Sequence, residues 1–292
     1  MPLAAAAAAA ATDSAPHPGA LGHSEEPGHP DGTLDVVHLL FGSGVTAPAA
    51  CLSVACRRGR GAVPPFATTL WRSSLLLALH LRHQPAMVAG HSVLELGAGT
   101  GVAGLTAALL GARRVVLTDL PQGGVQSAER SVRLNPRARP ATGGVEVLPL
   151  DWAAADAPAM VARLGSPFPD LLLAADCVFQ PDMFVPFVQT LALLLHEAQA
   201  RGRDCHPLAL MAYENRSPYR SLAETLAFWG LVGREVPLPP ADLGTLREVA
   251  CPGGPCSGAC VPSSAAEDLT PGLFEDLRLF EISLATDRPE PE

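Results

Sequence analysis

The sequence predicts an α/β fold in which a doubly wound, mostly parallel sheet carries helices on both faces. Short apolar runs alternate along the chain with longer amphipathic segments, and a glycine-rich turn joins one such run to an apolar segment. Residues Asp170 to Ala175 read DLLLAA, the composition of a strand buried on both faces of a parallel sheet. Repeated strand–helix units require right-handed crossovers, which bring the carboxyl ends of the strands to one edge.

Strands are predicted where apolar or alternating runs of a few residues lie between turn residues. In chain order these are Leu34–Phe41, Cys51–Arg57, Ser92–Leu96, Arg114–Thr118, Val145–Leu148, Asp170–Ala175, Pro207–Tyr213, Leu231–Val236 and Leu277–Leu284. Helices are predicted where apolar residues recur at helical spacing. These are Thr68–Leu81, a segment from Val102 that Gly111 ends, Gln126–Leu134 before Asn135-Pro136, Ala155–Leu164, Asp182–Ala200 and Ser217–Trp229.

Three divisions of the chain follow from composition. Residues 1–33 combine an alanine run with prolines and glycines and show no periodicity, so a disordered tail is expected. Residues 34–288 form the expected folded domain, which a Pro-rich insertion at about 238–275 interrupts. That insertion is long enough to be a functional lid or a disordered excursion. Its cysteines Cys251, Cys256 and Cys260 lack C-x-x-C spacing, so no metal site is predicted.

Composition also narrows the function classes. The 292 residues carry a net charge of −9, which favours a basic partner over nucleic acid. No apolar stretch reaches the ~18 residues typical of a membrane span, so no membrane association is expected. The cysteines without a secretion signal indicate reduced thiols, and the expected location is the cytosol or the nucleus.

The most informative motif is the turn from Glu95 to Gly101, which reads E-L-G-A-G-T-G between a predicted strand and a predicted helix. Such a turn needs glycines because it requires positive φ and a bare backbone beside a ligand, while the helix N-terminus offers unpaired N–H groups. The spacing differs from the G-x-G-x-x-G of dinucleotide folds, which disfavours an NAD oxidoreductase. The next strand ends in Asp119, where a carboxylate would bind ribose hydroxyls.

Polar or aromatic side chains follow all five central strands of the predicted sheet. Ligands of doubly wound sheets bind at the carboxyl ends of the strands, so these groups are expected to share one site. They lie in Gly97–Gly101, at Asp119, at Asp151-Trp152, in Asp176–Phe179 and in Glu214–Arg216.

These motifs resemble those of the seven-strand S-adenosylmethionine-dependent methyltransferases, and in particular the methyltransferase-like enzymes that methylate lysines on other proteins. The resemblance extends from about Leu34 to Leu284. It rests on the glycine turn, a tryptophan on a preceding helix, L-x-W after strand three, A-D-x-x-Y after strand four and E-x-R after strand five. Here these are Trp71, Leu150-Asp151-Trp152, Ala175-Asp176-Cys177-Val178-Phe179 and Glu214-Asn215-Arg216, with Phe179 in place of the usual tyrosine.

The resemblance implies a Rossmann-like seven-stranded sheet, mostly parallel with a final antiparallel strand. It implies S-adenosyl-L-methionine as cofactor and a protein that presents a lysine as substrate. Asp176 and Glu214 are the implied catalytic residues, with Asp176 accepting a hydrogen bond from the amine. The implied cofactor-binding residues are Trp71, Glu95, Gly97, Ala98, Gly99, Thr100, Gly101, Asp119, Asp151, Trp152 and Ala175.

The same motifs bear on other functions. Adenine methyltransferases need a D/N-P-P-Y/F run, and Asp176–Phe179 has neither proline, so methylation of adenine in nucleic acid is disfavoured. A small-molecule amine, or a histidine or arginine of a protein, would suit the same motifs. A catalytically silent binding module would keep the fold, although the intact turn and the carboxylates Asp119 and Asp176 count against it.

Overall fold

The computed structural model describes residues 35–41, 50–56, 66–140, 143–154, 157–201, 206–214, 216, 221–238, 246–249, 274 and 276–285. Its strands are β1 (Asp35–Phe41), β2 (Ala50–Cys56), β3 (Ser92–Leu96), β4 (Arg114–Asp119), β5 (Glu146–Pro149), β6 (Leu171–Ala175), β7 (Leu208–Glu214), β8 (Leu231–Val236), β9 (Leu246–Val249) and β10 (Leu277–Leu284). Its helices are α1 (Arg72–His83), α2 (Val102–Leu109), α3 (Gly124–Leu134), α4 (Ala157–Leu164), α5 (Phe184–Arg201) and α6 (Leu222–Phe228).

The main sheet has seven strands in the order β5-β4-β3-β6-β7-β10-β8. Strands β5, β4, β3, β6 and β7 are parallel, whereas β10 lies antiparallel between β7 and β8. The chain order reverses between β3 and β6, which is the switch point where doubly wound sheets bind ligands. The predicted fold class, with its antiparallel final strand, is therefore confirmed.

Apolar side chains alternate between the two faces of the sheet and bury one layer of core on each. Val93 of β3 and Leu117 of β4 belong to the layer under α1, α2 and α3, while Leu94 and Val116 belong to the layer under α5. All four side chains are fully buried. A strand that is covered on both faces needs apolar side chains at nearly every position, which explains the continuous apolar runs in these parts of the sequence.

A second sheet of three antiparallel strands, in the order β2-β1-β9, packs beside α3. Asn135 anchors it, because its Oδ1 accepts the Ser53 N–H at 2.9 Å and its Nδ2 donates to the Ser53 carbonyl at 2.5 Å. Asn135 therefore ends α3, and its side chain forms with the Ser53 backbone the two hydrogen bonds that a neighbouring strand would otherwise form. Strand β9 was missed by the sequence prediction, since it lies in the segment expected to be a lid or an excursion.

The helix bounds differ from prediction at three places where a residue suits a turn better than a helix. Trp71, predicted within a helix, has extended backbone angles and caps α1. Pro181 places a 3-10 turn (Pro181–Met183) before α5. Ser221 caps α6 by accepting the Glu224 N–H, so the helix begins later than Ser217. The expected tail at 1–33 and most of the insertion, including Cys251, Cys256 and Cys260, lie outside the described residues.

Gly104 lies where helix α2 packs closely against strands β3 and β4. A Cβ at this position would lie 2.3 Å from Leu117 Cδ2 and 2.7 Å from Glu95 Oε2. We expect Gly104→Ala to lower the free energy of unfolding by about 1–3 kcal/mol through overpacking, despite the better helix propensity of alanine.

The matched control is Gly144→Ala, because nothing lies within 4 Å of a Cβ there. It should change stability by less than about 0.5 kcal/mol. Urea unfolding of both variants measures the difference, and equal midpoints would show that α2 can move away from the sheet at little cost.

Candidate active site

The carboxyl ends of the five parallel strands meet at one edge of the main sheet. The turn at Gly97–Gly101 follows β3, Asp119 ends β4, and Asp151 follows β5. Asp176 follows β6, and Glu214 ends β7. The structure therefore brings the chemistry-bearing residues of the sequence prediction to a common edge, as doubly wound topology requires.

Neighbouring segments pack so closely against the glycine turn that Gly97 and Gly99 have no room for a side chain. Gly97, Gly99 and Gly101 all have positive φ, at 61°, 52° and 76°. A Cβ at Gly97 would lie 3.0 Å from Cys177 Sγ and 3.2 Å from the Trp152 ring. One at Gly99 would lie 3.2 Å from the Ala67 carbonyl oxygen. The turn thus needs glycine for both its backbone conformation and its close packing.

Asp119 fixes this turn to the end of β4. Its Oδ2 accepts the Gly99 N–H at 2.7 Å, and its Oδ1 accepts the Leu120 N–H at 2.7 Å. Burial raises the pKa of the carboxyl, while the two backbone N–H groups lower it in part. Each oxygen of a carboxylate has a further lone pair, so Asp119 can still accept two hydroxyl groups from a ligand.

Glu95, predicted to contact the cofactor, lies behind the turn. Its side chain is 1% exposed, and its Oε2 accepts the Gly104 N–H in the first turn of α2 at 2.8 Å. Burial raises its pKa to about 8, the Gly104 hydrogen bond lowers it, and the charge of Asp119 raises it. We assign Glu95 the role of holding α2 against β3, because a carboxyl enclosed in this way does not face the edge of the sheet.

The other turn residues divide between backbone and packing roles. The Ala98 N–H donates to the Thr118 carbonyl at 2.9 Å, which joins the turn to β4. Thr100 is buried, so its side chain packs inside the turn. Gly101 precedes α2 as its N-cap residue, where free backbone N–H groups begin.

A cavity of about 320 Å³ lies between the ends of β4 and β5 and helix α4. Most of its lining is apolar, from Leu148, Leu150 and Met160, and Asp151 lies among these residues. Asp151 Oδ1 accepts the Ala153 N–H at 2.9 Å, which fixes the carboxylate at this place. A flat heterocycle with polar edges would fit an apolar cavity of this size with one acceptor.

Trp152, the neighbour of Asp151, packs inward instead of lining this cavity. Its ring meets Phe187 edge-on at 5.1 Å and lies against Gly97. Its Nε1 is a buried donor without a hydrogen-bond partner among the described residues. A buried indole N–H normally finds an acceptor, so this atom marks a place where a ligand or water would complete the structure.

Leu120 was not predicted from the sequence as a site residue. It is 44% exposed although it directly follows Asp119. A large apolar side chain exposed at the rim of a ligand edge is a candidate contact for an apolar ligand face. Its only sequence signal is its place next to the strand-ending aspartate.

Three aromatic rings lie together beside the ends of β6 and α1. Phe66 and Phe179 have ring centroids 4.7 Å apart, and Trp71 lies 6.4 Å from each of them. The Trp71 Nε1 donates to the Phe66 carbonyl at 2.9 Å, which orients the indole. Trp71 and Phe179 were singled out from the sequence, but Phe66 was missed because no motif marks it.

Asp176 lies at the end of β6 in an uncommon backbone conformation. It follows Ala175, the last residue of β6, and has a left-handed φ of 57°. Arg216 donates Nη1 to Oδ1 at 2.6 Å and Nη2 to Oδ2 at 2.5 Å. Each oxygen keeps a further lone pair, so the hydrogen bond from a substrate amine to Asp176 stays a prediction.

Arg216 also binds Glu214, the second predicted catalytic residue. Its Nη2 donates to Glu214 Oε2 at 2.8 Å, and Nη2 of Arg72 lies 3.7 Å from the same oxygen. Burial opposes the charge of Arg216, but hydrogen bonds and charges from Asp176 and Glu214 outweigh it and raise the pKa of the guanidinium. We refer to Arg72, Asp176, Glu214 and Arg216 as the ion network.

Within the described ranges no group of three or more His, Cys, Asp and Glu side chains is arranged to hold a metal ion. None of the helices in those ranges is long and apolar enough to cross a bilayer.

Comparison with known proteins places this geometry in a family. The family model described as "Lysine methyltransferase" matches residues 61–223, more than half of the chain. The chain belongs to the lysine methyltransferase family. The matched range contains α1, the glycine turn, Asp119, Asp151, Asp176, Glu214 and Arg216.

Three curated relatives illustrate the similarity. Methyltransferase-like protein 22 of Mus musculus is 34% identical over 138 residues, which cover 44% of this chain and 35% of the relative. Protein N-terminal and lysine N-methyltransferase EFM7 of Gibberella zeae is 32% identical over 145 residues, covering 45% and 53%. Protein N-lysine methyltransferase METTL21A of Mus musculus is 33% identical over 163 residues, covering 54% and 67%. The match therefore spans about half or less of the first two relatives.

The raised pKa of Glu95 gives a prediction about stability. The folded protein keeps the Glu95 proton up to about pH 8, whereas the unfolded chain loses it near the ordinary value of 4.5. Because the folded state then binds more protons, this group makes the free energy of unfolding fall as pH rises from about 4.5 to about 8, by up to ~1.4 kcal/mol per pH unit.

Glu95→Gln should remove this contribution, since the amide is an uncharged isostere of the protonated acid and can still accept the Gly104 N–H. Urea unfolding at several pH values between 5 and 8 compares the variant with the parent. Equal slopes for parent and variant would show that the pKa of Glu95 is not raised in the folded protein.

Proposed function

We propose that this chain is an S-adenosyl-L-methionine-dependent methyltransferase that methylates a lysine side chain on another protein. The observation that carries the proposal is one shared edge, where a bare glycine turn bound by Asp119 lies beside an aromatic cluster and the ion network. Its family supports the reaction, and the names of EFM7 and METTL21A describe methyl transfer to protein amines.

The residues of the edge fit the cofactor. Asp119 has acceptor capacity for two ribose hydroxyls, and the cavity at Asp151 has the size and apolar lining for a purine. The glycine turn at Gly97 to Gly101 leads into the N-terminus of α2, where backbone N–H groups could bind the carboxylate of the amino acid portion. When bound, S-adenosyl-L-methionine supplies an electrophilic methyl group on a positively charged sulfur.

The residues on the other side of the turn suit an amine. A lysine side chain has an ordinary pKa of ~10.4, but only its neutral form is a nucleophile. The rings of Phe66, Trp71 and Phe179 offer an apolar surface that excludes water, which lowers the pKa of an amine held there. The displaced proton would leave to solvent, and alignment of the amine with the methyl group supplies much of the rate.

Asp176 and Glu214 contribute charge to this region as members of the ion network. Two guanidinium groups and two carboxylates balance, so the network adds no net charge beside the amine. The balanced charge favours a neutral amine beside the rings, which is the form that attacks the methyl group.

Location and partners complete the proposal. We infer action in the cytosol or the nucleus on a protein that presents a lysine, and the net charge of −9 disfavours nucleic acid as substrate. An α-amino group is a second candidate acceptor, because the name of the EFM7 relative includes protein N-terminal methylation.

Cofactor binding is the first step to test. S-adenosyl-L-methionine should raise the melting temperature of the parent, as any ligand that binds only the folded state does. Asp119→Ala should weaken cofactor binding at least tenfold, since it removes the acceptor for ribose and releases Gly99. Glu197→Ala removes a surface carboxylate paired with Arg201 on α5 and should leave binding unchanged.

Methyl transfer is then measured with radiolabelled cofactor and a cell extract. The expected result is a labelled protein whose hydrolysate contains methyl-lysine, which Asp119→Ala no longer produces. The chain itself contains no lysine, so this label cannot come from its own side chains. Cofactor binding without any labelled protein would favour a small-molecule substrate, and absence of binding would favour a silent module.

A further inference from the structure

The ion network connects two segments that carry the aromatic cluster. Arg72 directly follows Trp71 and is the first residue of α1. Asp176 lies three residues before Phe179, at the end of β6. Glu214 ends β7, and its Oε2 is shared by Arg216 at 2.8 Å and Arg72 at 3.7 Å. A chain of charged contacts thus joins the segment that carries Trp71 to the segment that carries Phe179.

Arg216 is the centre of this chain. It contacts Asp176 through two parallel N–H groups and Glu214 through one of them. The planar fork of a guanidinium matches a carboxylate in this way, and an ammonium cannot reproduce it. Without Arg216, two largely buried carboxylates would approach each other, and among the described residues Arg72 would be left to compensate their charge.

Asp176 is held through both its backbone and its side chain. Its φ is 57°, and its N–H donates to the Ala212 carbonyl of β7 at 2.9 Å. Its side chain is 5% exposed, and the bidentate pair with Arg216 involves both carboxylate oxygens. Arg216 therefore fixes the side chain at the start of the segment that leads to Phe179.

We propose that Arg216 is a positioning residue that sets the distance between the Trp71 and Phe179 walls of the amine site. This inference rests on the proposed function, because it assigns the aromatic cluster to the methyl acceptor. Arg216 acts through Asp176, Glu214 and Arg72, which hold the two aromatic segments. Asp176, whose two oxygens both bind the guanidinium, is one of the residues that hold these segments in place.

The chain offers a matched control for loss of a buried bidentate arginine. Arg114 donates Nε and Nη2 to Glu146 at 2.8 and 3.0 Å, and its Nη1 donates to the Leu164 carbonyl. Arg114 begins β4, so it lies at the opposite end of the strand from Asp119. Arg114→Lys therefore reports the structural cost of such a substitution without any contact with the amine site.

The decisive experiment compares Arg216→Lys with Arg114→Lys. We expect Arg216→Lys to lower kcat/KM for the protein substrate at least tenfold, with the Kd for S-adenosyl-L-methionine within twofold of the parent. Arg114→Lys should keep both quantities within about twofold, although its melting temperature falls. Equal kcat/KM for the two variants would overturn the proposal while leaving the proposed function intact.

Two further measurements keep the test decisive. If Arg216→Lys does not fold, a double variant with Asp176→Asn and Arg216→Gln takes its place. This variant has no unpaired charge at either position, and its kcat/KM should fall by the same factor. If the parent binds cofactor but methylates no protein, the proposed function fails, and near-ultraviolet circular dichroism then decides the positioning role. Arg216→Lys should change the aromatic bands and Arg114→Lys should not; unchanged bands in both would refute it.

Discussion

The site depends on one constraint, which is that several carboxylates are buried at one edge of a sheet. A buried carboxylate is costly unless it is paired or hydrogen-bonded, so each one here has its own donor. Glu95 accepts from Gly104, Asp119 from Gly99 and Leu120, and Asp176 from Arg216. The donors are backbone N–H groups at the glycine turn and guanidinium groups beside the aromatic cluster.

This difference between the two sides has a chemical consequence. Backbone donors bind Asp119 without adding a charge, so this carboxylate remains an anionic acceptor for hydroxyl groups. Guanidinium donors instead cancel the charge of Asp176 and Glu214. The edge therefore has an anionic half that suits a polar cofactor and a balanced half whose most distinctive surface is aromatic.

The glycines follow from the same constraint. Gly99 donates its N–H to Asp119, and Gly104 can approach Glu95 closely because it has no Cβ. Each of these two carboxyl groups thus lies against a glycine. Glu95 and Gly99 belong to the E-x-G-x-G-x-G pattern, whereas their partners Gly104 and Asp119 lie beyond it in the sequence.

The sequence predicts the main sheet well because its signals are local. Apolar runs give the strands, and Gly111 and Asn135 end α2 and α3 where local composition places them. Strand β9 escapes prediction because it is stabilised by pairing with β1, a partner some two hundred residues away in sequence. Trp71 was placed in a helix because propensity cannot show that it caps one.

At the site, residue types were predictable but pairings were not. The sequence places Asp176, Glu214 and Arg216 at strand ends, yet nothing in it shows that one guanidinium binds both carboxylates. That pairing adds to the predicted role of Asp176 as an acceptor a structural one, because the carboxylate also binds Arg216. Phe66 likewise gains its significance only from its 4.7 Å approach to Phe179.

The ion network explains why a phenylalanine suits position 179. A tyrosine there would add a hydroxyl, which would need a hydrogen-bond partner when buried. Such a hydroxyl would compete with Arg216 for the carboxylates of Asp176 and Glu214. Phenylalanine keeps the wall apolar and leaves the carboxylates to the guanidinium. Under the proposed function, this apolar wall contributes to the desolvation of the acceptor amine.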